Sequence, residues 1–326
     1  MPEILTYTMD EQDAATVEDT LTRLSDGWPA DDLRQWTLLR RAMTTLPVGL
    51  ADFLFELRRD ECSAVAMIRG LPVDDDVVGP TPAHWSERDV GATVREEIFL
   101  LLMAHCLGDV FSWRTLQQGR LVQDVLPIQG EEQQQSGHGT VQLAWHTEDA
   151  FHPNRCDYLC LLAIRNHDEV PTTMATIDDV FLEERHQAVL RQPRFLIRPD
   201  NEHLRHMAPT SVAAIAQDPP RCAVLFGAPD RPYLRVDPVF MGTVPGDTEA
   251  AEALAALIGQ LEDSLRPIAL HPGDLLIVDN MLAVHGRSEF KARHDGTDRW
   301  LKKAIVTRDL RASRHLRHSV ASRVLH

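Results

Sequence analysis

The 326-residue chain is short of cysteine, of long apolar runs and of positive charge, and each shortage removes a class of protein. Its five cysteines (62, 106, 156, 160, 222) are odd in number and scattered, which argues against a disulfide framework. Cys156 and Cys160 flank an apolar stretch, but the neighbouring sequence offers no two further soft ligands for zinc, so both read as buried free thiols. No apolar run approaches the roughly 20 residues needed to span a bilayer. The acidic start, MPEILTYTMDEQDAATVEDT, lacks a basic stretch followed by an apolar one, so no secretory signal is expected and the chain reads as cytoplasmic. Lys and Arg number 33 against 49 Asp and Glu, a formal net charge of −16. That balance disfavours nucleic acid, whose phosphates it would repel, and is compatible with a cationic substrate. The sequence contains neither an internal repeat nor a low-complexity tract.

What is present is ordinary for a globular chain, with 44% hydrophobic and 25% charged residues. The length allows two domains, but barrels and sandwiches often run this long as one, and a single domain over 1–326 is expected. Within residues 1–60, TVEDTLTRL, DDLRQWTLLRRAMTTL and VGLADFLFELRRD carry apolar residues at three- and four-residue spacing, which predicts helices packed on a sheet. Asp31 and Asp32 stand where an N-cap belongs, and Pro47 with Gly49 divides the second helix from the third. SAVAMIRGLP (63–72) reads as a strand, residues 72–82 as a loop, and TVREEIFLLLMAHCL as a helix stopped by Gly108. His105 in that apolar helix reads as a core histidine.

Further on, 111–126 offers short strands and the polar stretch 129–139 a loop, either a solvated connection or a lid over a site. VQLAWHTEDAFHP (141–153) is strand into turn, and DYLCLLAIRN (157–166) and VPTTMATIDDVF (170–181) continue the sheet. Residues 181–217 read as a helical, irregular insert, and 221–227 with 232–241 as two strands around a turn. Asp247 and Thr248 can cap the helix that follows, and 270–286 and 301–310 supply the last strands. Strands with few crossover helices predict a mainly β fold with helical decoration, a double-stranded β-helix or cupin-like jelly roll.

The chemistry concentrates in Trp145-His146-Thr147-Glu148-Asp149. On a strand, residues two apart point to the same face, so His146 and Glu148 can reach one metal ion. His285, in DNMLAVHGRS (279–288), is the best candidate for a third ligand. Two His and one carboxylate on one side of an octahedral iron leave three positions open, the arrangement of non-haem Fe(II) oxygenases. Arg299 lies fourteen positions after His285 and carries the guanidinium that 2-oxoglutarate needs for its distal carboxylate. Thr172 or Thr173 can add a hydroxyl. Zinc accepts the same ligand types, so a zinc hydrolase stays open as an alternative, as does a jelly-roll binding protein without turnover.

At these residues the chain resembles the clavaminate synthase-like Fe(II)/2-oxoglutarate oxygenases, especially the branch that hydroxylates free amino acids such as arginine and asparagine. The resemblance rests on HTEDAFHP, DYLCLLAIRN, VPTT, DNMLAVHGRSEF and DRWLKKAIVTRDLRASR, and extends to MIRGLP and GPTPAHW. It implies that Fe(II) is held by His146, Glu148 and His285, and that Arg299 and Thr172 hold 2-oxoglutarate. It also implies that O₂ is the second cosubstrate and a small-molecule amino acid the partner. Gln123 and Ser136 fall where such enzymes contact substrate, and Glu148 can also meet its α-ammonium. Asp237 would face the far end of a basic substrate, and Lys303 stands where the family carries an arginine for the α-carboxylate. Val239 replaces a second acid near Asp237, which weighs against arginine and towards a lysine-like side chain. Asparagine as substrate, and desaturation or ring closure as outcome, remain compatible with the same residues.

Overall fold

The computed structural model describes residues 4–29, 34–87 and 91–326, so the N-cap expected at Asp31 or Asp32 lies outside the described residues. Two sheets form the centre. The larger has eight strands in the order Leu5–Thr8, Val65–Arg69, Leu275–Asp279, Tyr158–Arg165, Trp300–Thr307, Asp109–Trp113 and Val324–Leu325, with Gln123–Val125 also paired to Trp300–Thr307. The smaller runs Arg266–Ala269, Pro171–Thr176, Ala283–Arg287 and Leu143–His146. From residue 143 onwards the chain passes repeatedly between the two, so strands adjacent in sequence come to face each other.

Tyr158–Arg165 shows why the layers stack. All eight of its residues are buried. Alternation sends Leu159, Leu161 and Ala163 into one core, shared with Trp145, Met174, Ala283 and Val284 of the small sheet. Tyr158, Cys160, Leu162 and Ile164 enter a second core beneath the helices. A strand covered on both faces reads as a continuous apolar run, as DYLCLLAIRN does. The helices Glu11–Ser25, Arg34–Ala42, Val48–Asp60 and Val94–Leu107 supply the cover, contributing Leu21, Leu39, Leu54 and Phe99 to that second core. Val94–Leu107 is apolar nearly all round because it is buried nearly all round. Gly108 ends it, and a Cβ there would lie 2.4 Å from the Thr307 carbonyl oxygen, which explains the glycine better than any turn rule.

Three expectations need correction. Leu5–Thr8 is a strand, parallel to Val65–Arg69, too short to show a period by itself. Residues 232–241 do not form one strand: Pro232–Leu234 pairs with Leu225–Gly227, whereas Met241–Thr243 joins Phe195–Ile197 in a separate small sheet. The break falls at Asp237-Pro238, where the Asp237 carboxylate accepts from the backbone N–H groups of Val239 and Phe240 and bends the chain. Residues 181–217 hold the helices Glu184–Leu190, Asn201–His206 and Pro209–Gln217, together with the strand Phe195–Ile197. The five cysteines are free thiols. Among the described residues no helix is long and apolar enough to cross a membrane.

Candidate active site

His146 and Glu148 lie at and just beyond the end of Leu143–His146, and His285 sits in the adjacent strand, directly opposite His146 in the antiparallel register. Gly286 lets the strands close: a Cβ there would lie 2.6 Å from the Leu143 carbonyl oxygen and 2.9 Å from Thr173 Oγ1. The ligand-capable atoms of the three residues fall within 4.8 Å of one another. Glu148 Oε2 is 3.3 Å from His285 Nε2 and 3.9 Å from His146 Nε2. Nδ1 of His146 lies 2.8 Å from the Ala144 carbonyl, which fixes the proton there and turns the lone pair of Nε2 inward. Burial pushes His285 below the ordinary imidazole range, so its lone pair is also available. Two lone pairs and a carboxylate aimed at one point need a cation between them, and a divalent metal with nitrogen and oxygen preference fits the donor set.

Glu148 is held at its backbone as well. Its N–H donates to Asn280 Oδ1 (2.7 Å), and Asn280 Nδ2 donates to the carbonyls of Glu148 and Cys156 (3.0 Å each). Asn280 stands inside a quoted motif, but its type alone does not reveal this clamp. Lys303 Nζ donates to Glu148 Oε1 at 2.8 Å, leaving Oε2 for the imidazoles. Burial by itself would raise the Glu148 carboxyl; Lys303 and the two histidines outweigh it and hold it well below the usual carboxylate range.

The three residues line a cleft that opens to the surface. At one end are Arg299, Arg287 and Thr172. Arg299 donates to Thr172 Oγ1 (3.2 Å) and Arg287 to the Val141 carbonyl (2.7 Å). The Nε of each guanidinium is buried without a partner, and among the described residues neither has an acidic partner. Burial and the neighbouring Arg287 push Arg299 down to about 9, and burial pushes Arg287 to about 10. Two buried cations without an anion describe a site for a dianion.

Asp200 and Glu202 line the same cleft, Glu202 within electrostatic reach of Lys303, with Ser136, Gly137 and Leu116. Asp200 caps the short helix Asn201–His206 by accepting from the His203 N–H (2.8 Å), and burial pushes its carboxyl above the ordinary range. A cationic ligand would draw it back. These two acids are the residues that pattern reading missed, because they sit in an irregular segment with no periodic signal. Of the residues expected to touch substrate, Ser136, Glu148 and Lys303 line the cleft. Gln123 and Asp237 are not among its lining residues. Gln123 is buried beside Lys303 and donates to Ser112 Oγ (3.0 Å); the Asp237 carboxylate is used by its own turn.

Comparison with known proteins agrees with this chemistry. Residues 177–305 match the family described as Taurine catabolism dioxygenase TauD, TfdA family. The whole chain is similar to enduracididine beta-hydroxylase of Streptomyces hygroscopicus, at 39% identity over 99% of this chain and 100% of that protein. It is likewise 39% identical to L-ornithine/L-arginine 3-hydroxylase of Catenulispora acidiphila, over 97% of this chain and 98% of that one. The crystal structure of the non-haem iron oxygenase OrfP with Fe and alpha-ketoglutaric acid superposes with a TM-score of 0.91 at 39% identity, covering 98% of this chain and 100% of OrfP.

Proposed function

This chain belongs to the clavaminate synthase-like amino-acid hydroxylases of the TauD/TfdA family, enzymes that use Fe(II), 2-oxoglutarate and O₂, and from that premise we propose that it hydroxylates Cβ or Cγ of a free L-amino acid with a cationic side chain. The observation that carries the substrate class is the pair Asp200 and Glu202, two acids lining the same cleft as the candidate metal ligands. Relatives named as acting on enduracididine, ornithine and arginine support it. In this reading residues 1–326 are one oxygenase domain, and its facing sheets form a double-stranded β-helix.

His146, Glu148 and His285 would hold the iron, and bound iron with 2-oxoglutarate supplies an oxidant able to remove hydrogen from an unactivated carbon, releasing succinate and CO₂. The residues of the chain do the rest. Arg299 pairs the distal carboxylate of 2-oxoglutarate, Thr172 adds a hydroxyl, and Arg287 contributes charge. Lys303 takes the α-carboxylate of the substrate while the Glu148 carboxylate stands near its α-ammonium, and Gln123 backs Lys303 from the neighbouring strand. Ser136 closes the cleft from the loop, and Asp200 with Glu202 receives the distal cation. Holding both ends of the substrate fixes which carbon faces the metal.

The test is a panel of cationic and neutral amino acids supplied with Fe(II), 2-oxoglutarate and O₂, with succinate and product followed by mass spectrometry. Hydroxylation of arginine, ornithine or lysine above asparagine or glutamine is expected; turnover confined to neutral amino acids would refute the substrate class.

A further inference from the structure

The ends of the cleft are built from unlike parts. The candidate ligands sit on sheet strands or directly beside them, but Asp200 and Glu202 belong to a helix of six residues, a length with little stability of its own. Something outside the helix has to hold it in place.

The helix residue that meets that outside support is His203, which follows Glu202. Its side chain is 2% exposed and engaged at both nitrogens. Nε2 lies 3.0 Å from Asp149 Oδ1, and Nδ1 lies 2.7 Å from Thr115 Oγ1. Asp149 is equally buried, and its second oxygen accepts from Trp113 Nε1 at 2.6 Å. The Trp113 ring packs edge-on against His203, with centroids 5.7 Å apart.

Asp149 follows Glu148 directly, and its φ is +51°, in the left-handed region that aspartate tolerates better than most residues. The turn aims its carboxylate away from the metal point and into the His203 pocket. Burial would lower the His203 imidazole, but the hydrogen bond and charge of Asp149 outweigh it and raise it. A buried hydrogen-bonded pair joins the helix to the strand end. The cation-binding end and the metal-binding end of the cleft are thus one residue away from either side of a single buried contact.

We propose that the His203–Asp149 pair is a positioning device: it sets the distance between the acids that take the substrate's distal cation and the carboxylate that would ligate iron, and so decides which side-chain carbon is presented. This inference rests on reading Asp200 and Glu202 as the substrate's cation site. Its consequence is specific. Loosening the pair changes where the substrate lies and leaves the metal and 2-oxoglutarate ends alone.

The experiment compares wild type with His203→Ala, His203→Gln, whose amide can still reach Asp149, and Thr115→Val, which removes the support of Nδ1 only. For His203→Ala, KM for the amino acid should rise roughly tenfold, about the loss of one buried hydrogen-bonded contact. Succinate should exceed hydroxylated product, and the share of product at the second carbon should grow. Fe(II) and 2-oxoglutarate affinities, read from the visible charge-transfer band, should stay within about twofold of wild type on the same scale. Hydrogen exchange of the 201–206 amides should quicken without substrate. His203→Gln should restore part of each effect, and Thr115→Val should move them in the same direction by less. Should His203→Ala fail to fold, the other two variants are read on the same scale. The proposal is overturned if product position, coupling and exchange stay at wild-type values, or if metal and cosubstrate affinity fall as far as substrate affinity. If wild type turns over only neutral amino acids, the substrate reading fails separately, and exchange with product position still judges the pair.

Discussion

The arginine end and the acid end of the cleft differ in how they are held. Arg287 and Thr172 face each other in neighbouring strands of the small sheet, and Arg299, just before the large-sheet strand Trp300–Thr307, donates to Thr172 across the two sheets. Asp200 caps, and Glu202 belongs to, a short helix outside both sheets, tied in by the buried His203–Asp149 contact and the more exposed Arg205–Glu131 pair. On the proposed reading the cosubstrate would meet residues set by the sheets, and the substrate's distal cation would meet a short helix outside them. Binding residues on connecting segments over a rigid frame are a general arrangement.

Substitutions at the two ends should therefore fail in different ways. The largest effect is expected for Arg299→Ala, which removes a forked, charge-assisted contact and leaves Arg287 without an anion. KM for 2-oxoglutarate should rise about 100-fold or more, with substrate KM little changed, in steady-state succinate assays. Asp200→Asn with Glu202→Gln should do the converse, raising KM for a cationic amino acid roughly 10–100-fold at unchanged 2-oxoglutarate KM. If both constants move together, the two ends are not separate. Thr172→Val tests the sheet end more finely: one neutral hydrogen bond of about 1 kcal/mol predicts roughly a fivefold rise in 2-oxoglutarate KM. Asp237→Asn should shift either KM by less than about threefold, because that carboxylate serves its own turn; a rise matching the acid pair would put Asp237 back in the cleft.

Legibility follows the same division. The strand periodicity expected to carry both His146 and Glu148 stops at His146, and Glu148 reaches the same point from the turn beyond it, held by Asn280, whereas DYLCLLAIRN announced a strand buried on both sides. The helices over residues 10–60 were legible from their three- and four-residue spacing, because each needs one apolar stripe against the large sheet. Asp200 and Glu202 were not, since an irregular segment carries no period to say which side faces inward. Asp237 shows the converse failure: its position in the chain suggested a substrate contact, but an aspartate before proline can bend back on its own backbone. Asp149 and His203 lie 54 positions apart, and no local pattern joins them.

By itself the sequence determined the residue types of the chemistry: a histidine and carboxylate two apart, at and just past a strand end, a distant histidine and a following arginine. Only the tertiary structure decided what surrounds that chemistry. Pairing a buried carboxylate with a particular lysine, asparagine or histidine depends on which strands meet and where a short helix docks, and those are properties of the packed whole.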